Sequence, residues 1–175
     1  MERIQTECDV REERMRLWVQ RYSDAILRTC FLYLCDRTMA EDALQDTLIK
    51  AWRHMAAYEK RDIANERAWL MRIAINTCKD YRKTAWWRHI DSRRALEELP
   101  CGMMQTQDAS RELTHMVMEL PVRYKQVILL YYFQGLNQHE TAHALGISPS
   151  AVVRRLRSAE KLLKERMTGG EERAE

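Results

Sequence analysis

The residues best suited to chemistry are cations, and they gather where they would meet a polyanion. Near the end of the chain, Arg154, Arg155, Arg157 and Lys161 fill the spaces between Val152, Leu156, Ala159 and Leu163, which recur at helical spacing. One face of such a helix is apolar and the remainder is basic. Just ahead, Ser148 is a suitable N-cap, and Pro149 takes the first helical position, where a missing N–H costs nothing. Gly146 stops an earlier short helix in which Thr141, Ala142 and Leu145 share one side, and Ile147 plugs the turn. A short helix, a glycine turn and a basic second helix make a helix-turn-helix over residues 137–167. The second helix would enter a DNA major groove by its N-terminal residues, presenting backbone N–H groups to phosphate and side chains to base edges. An ordinary helical hairpin with a solvated basic face has a similar composition. The cap-plus-proline start, and Ala142 as a site of close helix approach, favour DNA.

A second group lies on a long helix expected over residues 67–87. Trp69, Leu70, Ile73, Ala74, Thr77 and Tyr81 face inward, and Arg72, Asn76, Lys79, Asp80 and Lys83 form the opposite stripe. The stripe runs into Arg82, Trp86, Trp87, Arg88 and His89. Cations bind phosphate, Asn and Asp read base edges, and Trp stacks on an unpaired base. The same residues would also suit a solvated face with Trp covering the end of a core. The mixture of cation, amide and aromatic favours nucleic acid.

A third group is acidic. On a helix expected over residues 39–55, capped by Thr38, the core face is Leu44, Leu48, Ala51, Trp52 and Met55. Asp42, Gln45, Asp46, Ile49 and Arg53 make a second stripe at i, i+3, i+4, i+7 and i+11. Acids near a helix N-terminus suit its positive end, which would leave this a solvated face. Ile49 among acids suits a contact patch. Spacing alone leaves both open.

No Ser/His/Asp, Cys/His or metal-ligand arrangement points to an enzyme. His139 and His143 have the i,i+4 spacing of a helical metal pair but no evident third ligand. The five cysteines, Cys8, Cys30, Cys35, Cys78 and Cys101, are odd in number and include no CxxC pair. They read as small buried hydrophobes in a reducing compartment, with Cys8 and Cys101 in flexible segments. No metal, cofactor or small-molecule substrate is expected.

The elements that must position these groups are all helical. Hydrophobic residues make up 46% and charged residues 31% of the 175, with only 5 Gly and 3 Pro, so long helices with few breaks are expected. Leu17, Trp18, Tyr22, Ile26, Cys30, Phe31 and Leu34 form the apolar stripe of a first helix over residues 15–34. Residues 56–65 read as a loop. Residues 90–110 contain Pro100, Gly102 and a Gln-Thr-Gln run without periodicity, and read as a linker. Beyond it, Leu113, Met116, Val117 and Leu120 face inward from a short helix. Pro121 opens a helix, apolar all round, that runs to about Gln134. The tail from residue 168 is expected to fray. The fold class is therefore all-α: two small helical domains joined by a flexible linker, the second containing the helix-turn-helix. The boundaries are 12–89, 90–110 and 111–168. Net charge is only +3, but charge is sorted by segment. Residues 36–49 hold four acids and one base, and residues 68–94 seven bases and two acids, which suggests two kinds of partner. No apolar run approaches the ~20 residues of a membrane span, and the first residues lack the apolar centre of a signal peptide. The expected location is the cytoplasm.

Three stretches in order now carry a resemblance. AEDALQDTLIKAWR resembles the region 2 core-binding helix of sigma-70 family sigma factors, AWLMRIAINTCKDYRK resembles the −10-reading helix, and LPVRYKQVILLYYFQGLNQHETAHALGISPSAVVRRL resembles region 4. The total length resembles the short extracytoplasmic-function, or group 4, form. The resemblance implies that Asp42, Gln45, Asp46 and Ile49, with Arg53 on the same stripe, grip the clamp helices of core RNA polymerase while Trp52 supports the core. It implies that Arg72, Asn76, Asp80 and Lys83, with Lys79 and Trp86 beside them, meet single-stranded −10 DNA. The loop at residues 58–67 would help to hold a flipped base. It implies that residues 150–157 lie in the −35 major groove. Ser148, Ser150, Ala151, Val153 and Ser158 would then be at the interface, with Arg154 and Arg157 as base readers and Arg155 on phosphate. An anti-sigma factor is implied as a further partner. The chain departs from the family pattern at Ala151 and Val153, where Thr and Lys are frequent, at Thr141, where Ile is usual, and at Trp86 and Trp87, which interrupt an Arg-rich end. The −35 sequence it reads would therefore be unusual. A stand-alone helix-turn-helix regulator is the alternative, and would need no polymerase.

Overall fold

The computed structural model describes the backbone at residues 2–60, 65–83 and 108–171, and side chains at residues 9–58, 65–83 and 111–168. Every element among them is helical: α1 (Glu2–Leu34), α2 (Arg37–Lys60), α3 (Glu66–Tyr81), α4 (Asp108–Met118), α5 (Val122–Ile128), a π-helical turn (Leu129–Phe133), α6 (Gln138–Leu145) and α7 (Pro149–Glu171).

The first three helices pack on one another around the expected stripes. Trp18, Ile26, Cys30, Phe31 and Leu34 of α1 are buried against Ala43, Ala51 and Met55 of α2 and Leu70, Ala74 and Ile75 of α3. An aromatic cluster closes one end: Trp18 meets Tyr58 edge-on at 5.3 Å between centroids, and Trp69 lies 5.4 and 4.8 Å from the two. Such pairs are worth about 0.5–1.5 kcal/mol beyond their burial. At the other end the Tyr81 hydroxyl of α3 donates to Asp46 Oδ2 of α2 at 3.0 Å. Burial, and then the adjacent carboxylate, push the Tyr81 pKa up to about 12.

Several expected details are corrected. α1 extends to Glu2, well before residue 15, because residues 2–14 contain neither Gly nor Pro. Cys8 is thus in a helix, not a loop. Leu17 is 53% exposed: Met15 and Trp18 take the inward positions of α1 there, and Leu17 faces outward like Val19. Asp36, not Thr38, caps α2: its Oδ1 accepts from the Met39 N–H at 2.7 Å. α2 runs on to Lys60 through the stretch read as a loop, because Tyr58 joins the aromatic cluster. Trp52 is 41% exposed and does not belong to the core face; Ala43, Thr47 and Ala51 occupy that position. Leu113 is 41% exposed, and Thr114 and Met118 are buried instead. The helix opened by Pro121 is not α-helical to its end but widens into the π turn. Most of the linker, with Trp86, Trp87 and Cys101, lies outside the described residues. Cys30, Cys35 and Cys78 are buried, as expected of small hydrophobes.

The C-terminal helices extend the same apolar core, with Val127, Leu129, Leu130, Ala142, Leu145, Val152, Leu156 and Ala159 buried. The helix-turn-helix has the expected local chemistry. Asn137 and Glu140 form a capping box at the start of α6. Gly146 takes the left-handed conformation at φ 67°, and Ser148 Oγ accepts from the Ala151 N–H at 3.2 Å. α7 continues to Glu171, beyond the point where fraying was expected.

The two groups of helices pack on each other. α6 lies against α3, and α4, α5 and the π turn lie against α1. Gln134, 2% exposed, joins the halves: its Nε2 donates to Ala25 O at 3.2 Å and Thr29 Oγ1 at 2.7 Å, and its Oε1 accepts from Arg67 Nη2 at 2.9 Å. Gln126 Nε2 donates to Tyr33 Oη at 2.9 Å, and Asn65, the N-cap of α3, donates to the Glu140 carboxylate that caps α6.

Two outcomes are expected. An added Cβ at Gly146 meets nothing within 4 Å, so Gly146→Ala should lose only the conformational penalty, about 1–2 kcal/mol, in urea unfolding, with Gly146→Asn losing less. The raised Tyr81 pKa should favour folding fully below pH 10 and lose that effect as pH rises through about 12. Asp46→Asn should move the tyrosinate absorbance titration of Tyr81 downward, while burial keeps it above the ordinary value.

Candidate nucleic-acid interface

Three surfaces carry the expected residues. On α2, Asp42, Gln45, Ile49 and Arg53 are exposed on one side and Asp46 is half-buried, its carboxylate held by Tyr81. Trp52 stands beside this stripe rather than under it, so Ile49 and Trp52, 48% and 41% exposed, are two apolar side chains among acids and amides. The sequence pattern missed Trp52 because i, i+3, i+4 spacing also suits the core face. Only the packing of α2 on α1 and α3 separates the two.

On α3, Arg72, Asn76, Asp80 and Lys83 are exposed and Lys79 is half-buried. The stripe is internally tied: Lys83 Nζ donates to Asp80 Oδ1 at 2.8 Å and Lys79 Nζ to Asn76 Oδ1 at 3.4 Å. Lys83 holds the Asp80 carboxyl below its usual range, so Asp80 is a charged acceptor at neutral pH. Lys50 of α2 donates to Thr77 Oγ1 at 3.0 Å and lies 4.0 Å from Asp80, adding a cation to the face. Trp86, assigned to this site, lies outside the described residues, as do residues 61–64 of the loop ahead of α3.

On α7, Ser148, Ser150, Arg154 and Arg157 are exposed, and Ala151, Val153, Arg155 and Ser158 are half-buried. Ser148 and Ser150 lie 3.0 Å apart through their hydroxyls. The tertiary fold adds two residues. Arg123 and Tyr124, at the start of α5, join Arg154, Arg155 and Ser158 in a cavity of about 240 Å³. The Arg123 guanidinium stacks 4.6 Å above the Tyr124 ring. This cleft suits a phosphate: three guanidiniums, a hydroxyl and an aromatic wall. Residues 123–124 and 154–158 are too far apart in sequence for any local pattern to join them.

The second and third surfaces adjoin. Burial, and then the nearby Arg155 and Arg72, push the Lys79 ammonium pKa down. Arg155 of α7 is thus close enough to Lys79 of α3 to act on it electrostatically. His139 and His143 are exposed on α6. No group of three or more His, Cys, Asp or Glu that could hold a metal occurs among the described residues.

Comparison with known proteins identifies the family and the fold. Sigma-70 region 2 matches residues 18–88, and Sigma-70, region 4 matches residues 110–163. The RNA polymerase sigma-E factor of Streptomyces coelicolor is 30% identical over 159 residues, spanning 86% of this chain and 84% of the relative. The ECF RNA polymerase sigma factor SigM of Bacillus subtilis is 27% identical over 137 residues, 74% and 80% of the two chains. The fold is shared with CnrH in its complex with the cytosolic domain of CnrY, at a TM-score of 0.69, 23% identity and 90% of each chain. It is also shared with the Bartonella quintana sigma factor RpoE in complex with the anti-sigma factor NepR, at 0.68, 19% identity and 87% and 96% of the chains. With both sigma regions present in order on a helical chain that carries an acidic–apolar patch and two cationic faces, the protein belongs to the extracytoplasmic-function group of the sigma-70 family of RNA polymerase sigma factors.

Proposed function

We propose that this chain is a promoter-specificity subunit with no catalysis of its own. Residues 12–89 act as the core-polymerase and −10 module, residues 90–110 as the linker, and residues 111–168 as the −35 module. The observation that carries the reading is the separation of chemistries. An exposed acidic–apolar patch on α2 suits a protein partner, while mixed cationic faces on α3 and α7 suit DNA.

In this reading Asp42, Gln45, Asp46, Ile49 and Arg53 bind core polymerase, and Trp52 joins them as an aromatic anchor. Tyr81 fixes the Asp46 carboxylate before the partner arrives, which lowers the ordering cost of the contact. On α3, Arg72, Lys79 and Lys83 neutralise phosphate of the displaced strand, while Asn76 and Asp80 read base edges, with Trp86 as a stacking surface. On α7, Arg154 and Arg157 read bases, and Arg155 and Arg123 hold phosphate. Ser148 and Ser150 sit at the helix N-terminus facing the backbone, Ala151 and Val153 offer apolar contact to thymine methyls, and Ser158 borders the cleft.

Relatives of the same fold were solved with the cytosolic domain of CnrY and with the anti-sigma factor NepR. We infer a similar anti-sigma partner here. No described helix is long and apolar enough to cross a membrane, in keeping with a cytoplasmic location. A stand-alone regulator would bind promoter duplex tightly without polymerase and would have no use for the α2 patch.

Pull-down with core polymerase followed by run-off transcription on genomic DNA is the direct test. Asp42→Arg combined with Asp46→Arg should abolish association without changing the circular dichroism spectrum, and Trp52→Ala should weaken it by about 2 kcal/mol. Arg154→Ala and Arg157→Ala should each weaken −35-dependent initiation by about 1–3 kcal/mol, read from promoter titrations at fixed salt. Unchanged promoter choice in both would remove them from the base-reading set.

A further inference from the structure

We propose that the cleft between the start of α5 and α7 is a binding site for a free diphosphate group, inorganic or carried by a nucleoside, and that this ligand competes with the −35 backbone. The competition rests on the sigma-factor reading above; the binding site itself does not.

Two packed elements build the cleft. α5 lies against α7, and Val127, Val152, Leu156 and Ala159 of the two helices are buried. Pro121 O accepts from the Tyr124 N–H at 2.8 Å, which fixes the first turn of α5 and with it Arg123 and Tyr124. On α7, Arg154 and Ser158 are four residues apart and so share a face, with Arg155 beside them. These five residues line about 240 Å³, the liquid-volume share of about eight waters at ~30 Å³ each. A diphosphate group fits that space. A whole nucleotide does not, and its sugar and base would lie outside, against the Tyr124 wall.

The charge in the cleft exceeds what one DNA phosphate neutralises. Arg123, Arg154 and Arg155 take part in none of the ion pairs among the described residues. No carboxylate is among the described residues that line the cleft. Lys79 of α3, close enough to Arg155 to feel its charge, adds a further cation at the rim. The acid nearest to that lysine in sequence, Asp80, is held by Lys83 at 2.8 Å. A DNA strand brings one negative charge per phosphate, and successive phosphates are spread along the helix. A diphosphate concentrates roughly three, at about −1.5 per phosphate. Three guanidiniums are matched by that group and not by a single backbone phosphate.

The donor geometry agrees with the charge. Each guanidinium presents a planar fork that suits two phosphate oxygens, and the Ser158 hydroxyl can donate to another. Arg123 is ordered in advance by its stacking 4.6 Å above the Tyr124 ring, which lowers the cost of fixing it on a ligand. A diphosphate seated here covers Arg123 and Arg155, the pair assigned to −35 phosphate. Ligand and promoter then exclude each other, and −35 docking is restrained without a second protein.

Calorimetric titration of the full chain, at fixed ionic strength and free of divalent metal, tests the site. The probes are inorganic diphosphate, inorganic phosphate and adenosine diphosphate. Diphosphate should bind one per chain and roughly tenfold or more tighter than phosphate, because it adds charged hydrogen bonds. Adenosine diphosphate no tighter than inorganic diphosphate assigns the free ion as the ligand. A tighter value that Tyr124→Leu cancels assigns a nucleotide whose base stacks on the ring. Arg123→Ala should weaken diphosphate roughly tenfold or more. Arg123→Lys keeps the charge, loses the fork and should show part of that loss, so it decides if the alanine variant misfolds. Lys161 lies three residues beyond Ser158, outside the cleft lining, and pairs with Glu165 at 3.8 Å. Its replacement, Lys161→Ala, should change affinity by less than about twofold, as expected of a screened exposed charge. Equal losses from Arg123→Ala and Lys161→Ala, uptake of several ions without saturation, or diphosphate no tighter than phosphate would mark diffuse attraction and overturn the site. The competition is read with core polymerase and a labelled −35 duplex in the absence of nucleotides. Saturating diphosphate should lower the duplex anisotropy, and unchanged anisotropy would overturn the competition. Failure of run-off transcription with diphosphate binding intact would sink the sigma-factor reading and leave the site standing.

Discussion

One buried amide holds the two halves of this protein together. Three of the four hydrogen-bonding capacities of the Gln134 side chain are taken by the other half: both N–H donors by Ala25 and Thr29 of α1, and one oxygen lone pair by Arg67 of α3. A primary amide withdrawn from water without partners costs a few kcal/mol, so it is stable at 2% exposure only because the partners are in register. That register depends on the π turn before it. The wider turn carries the Gln134 N–H to Leu129 O, five residues back, at 3.0 Å. The turn, the amide, Thr29 and Arg67 form one constraint on how the C-terminal helices sit against α1 and α3.

The hierarchy of strengths is consistent with that arrangement. Within each half, large apolar side chains are fully covered, Trp18, Leu70 and Ile75 in one and Leu129, Leu130 and Val152 in the other. Each contributes on the order of 1.5–3 kcal/mol by burial. Between the halves the buried apolar core is continuous, and the hydrogen bonds of Gln134, Gln126 and Asn65 add register to it at a smaller net free energy. Like charges meet across the two halves, since Arg155 of α7 acts on Lys79 of α3.

Much of this was legible in the residues. The helix-turn-helix followed from Gly146, Ser148 and Pro149, because cap chemistry is local and a left-handed glycine suits few other roles. The stripes of α1 and α3 followed from periodicity. Errors fell where a local pattern has two solutions. Trp52 and Leu17 sit at positions compatible with either face of their helices, and only the neighbours decide. Thr38 and Asp36 are both competent caps, and the chain used the earlier one. The loop assigned to residues 56–65 was overridden as far as Lys60 by the burial of Tyr58, a tertiary effect on a segment with no strong propensity.

By itself, then, the sequence determined the helical class, most of the apolar stripes, the caps of the helix-turn-helix and which stripes are acidic or basic, but not the ends of the long helices. Those properties depend on contacts within about four residues, and the chain order carries them directly. Only the tertiary structure decided what meets what. It joined Arg123 and Tyr124 to the recognition helix, tied Asp46 to Tyr81, and set Gln134 between α1 and α3. Each of these pairs glutamine, arginine, tyrosine or aspartate across 30 or more positions of chain. A polar side chain leaves no periodic trace of a distant partner, because its hydrogen bond depends on one atom's position rather than on a repeated apolar area.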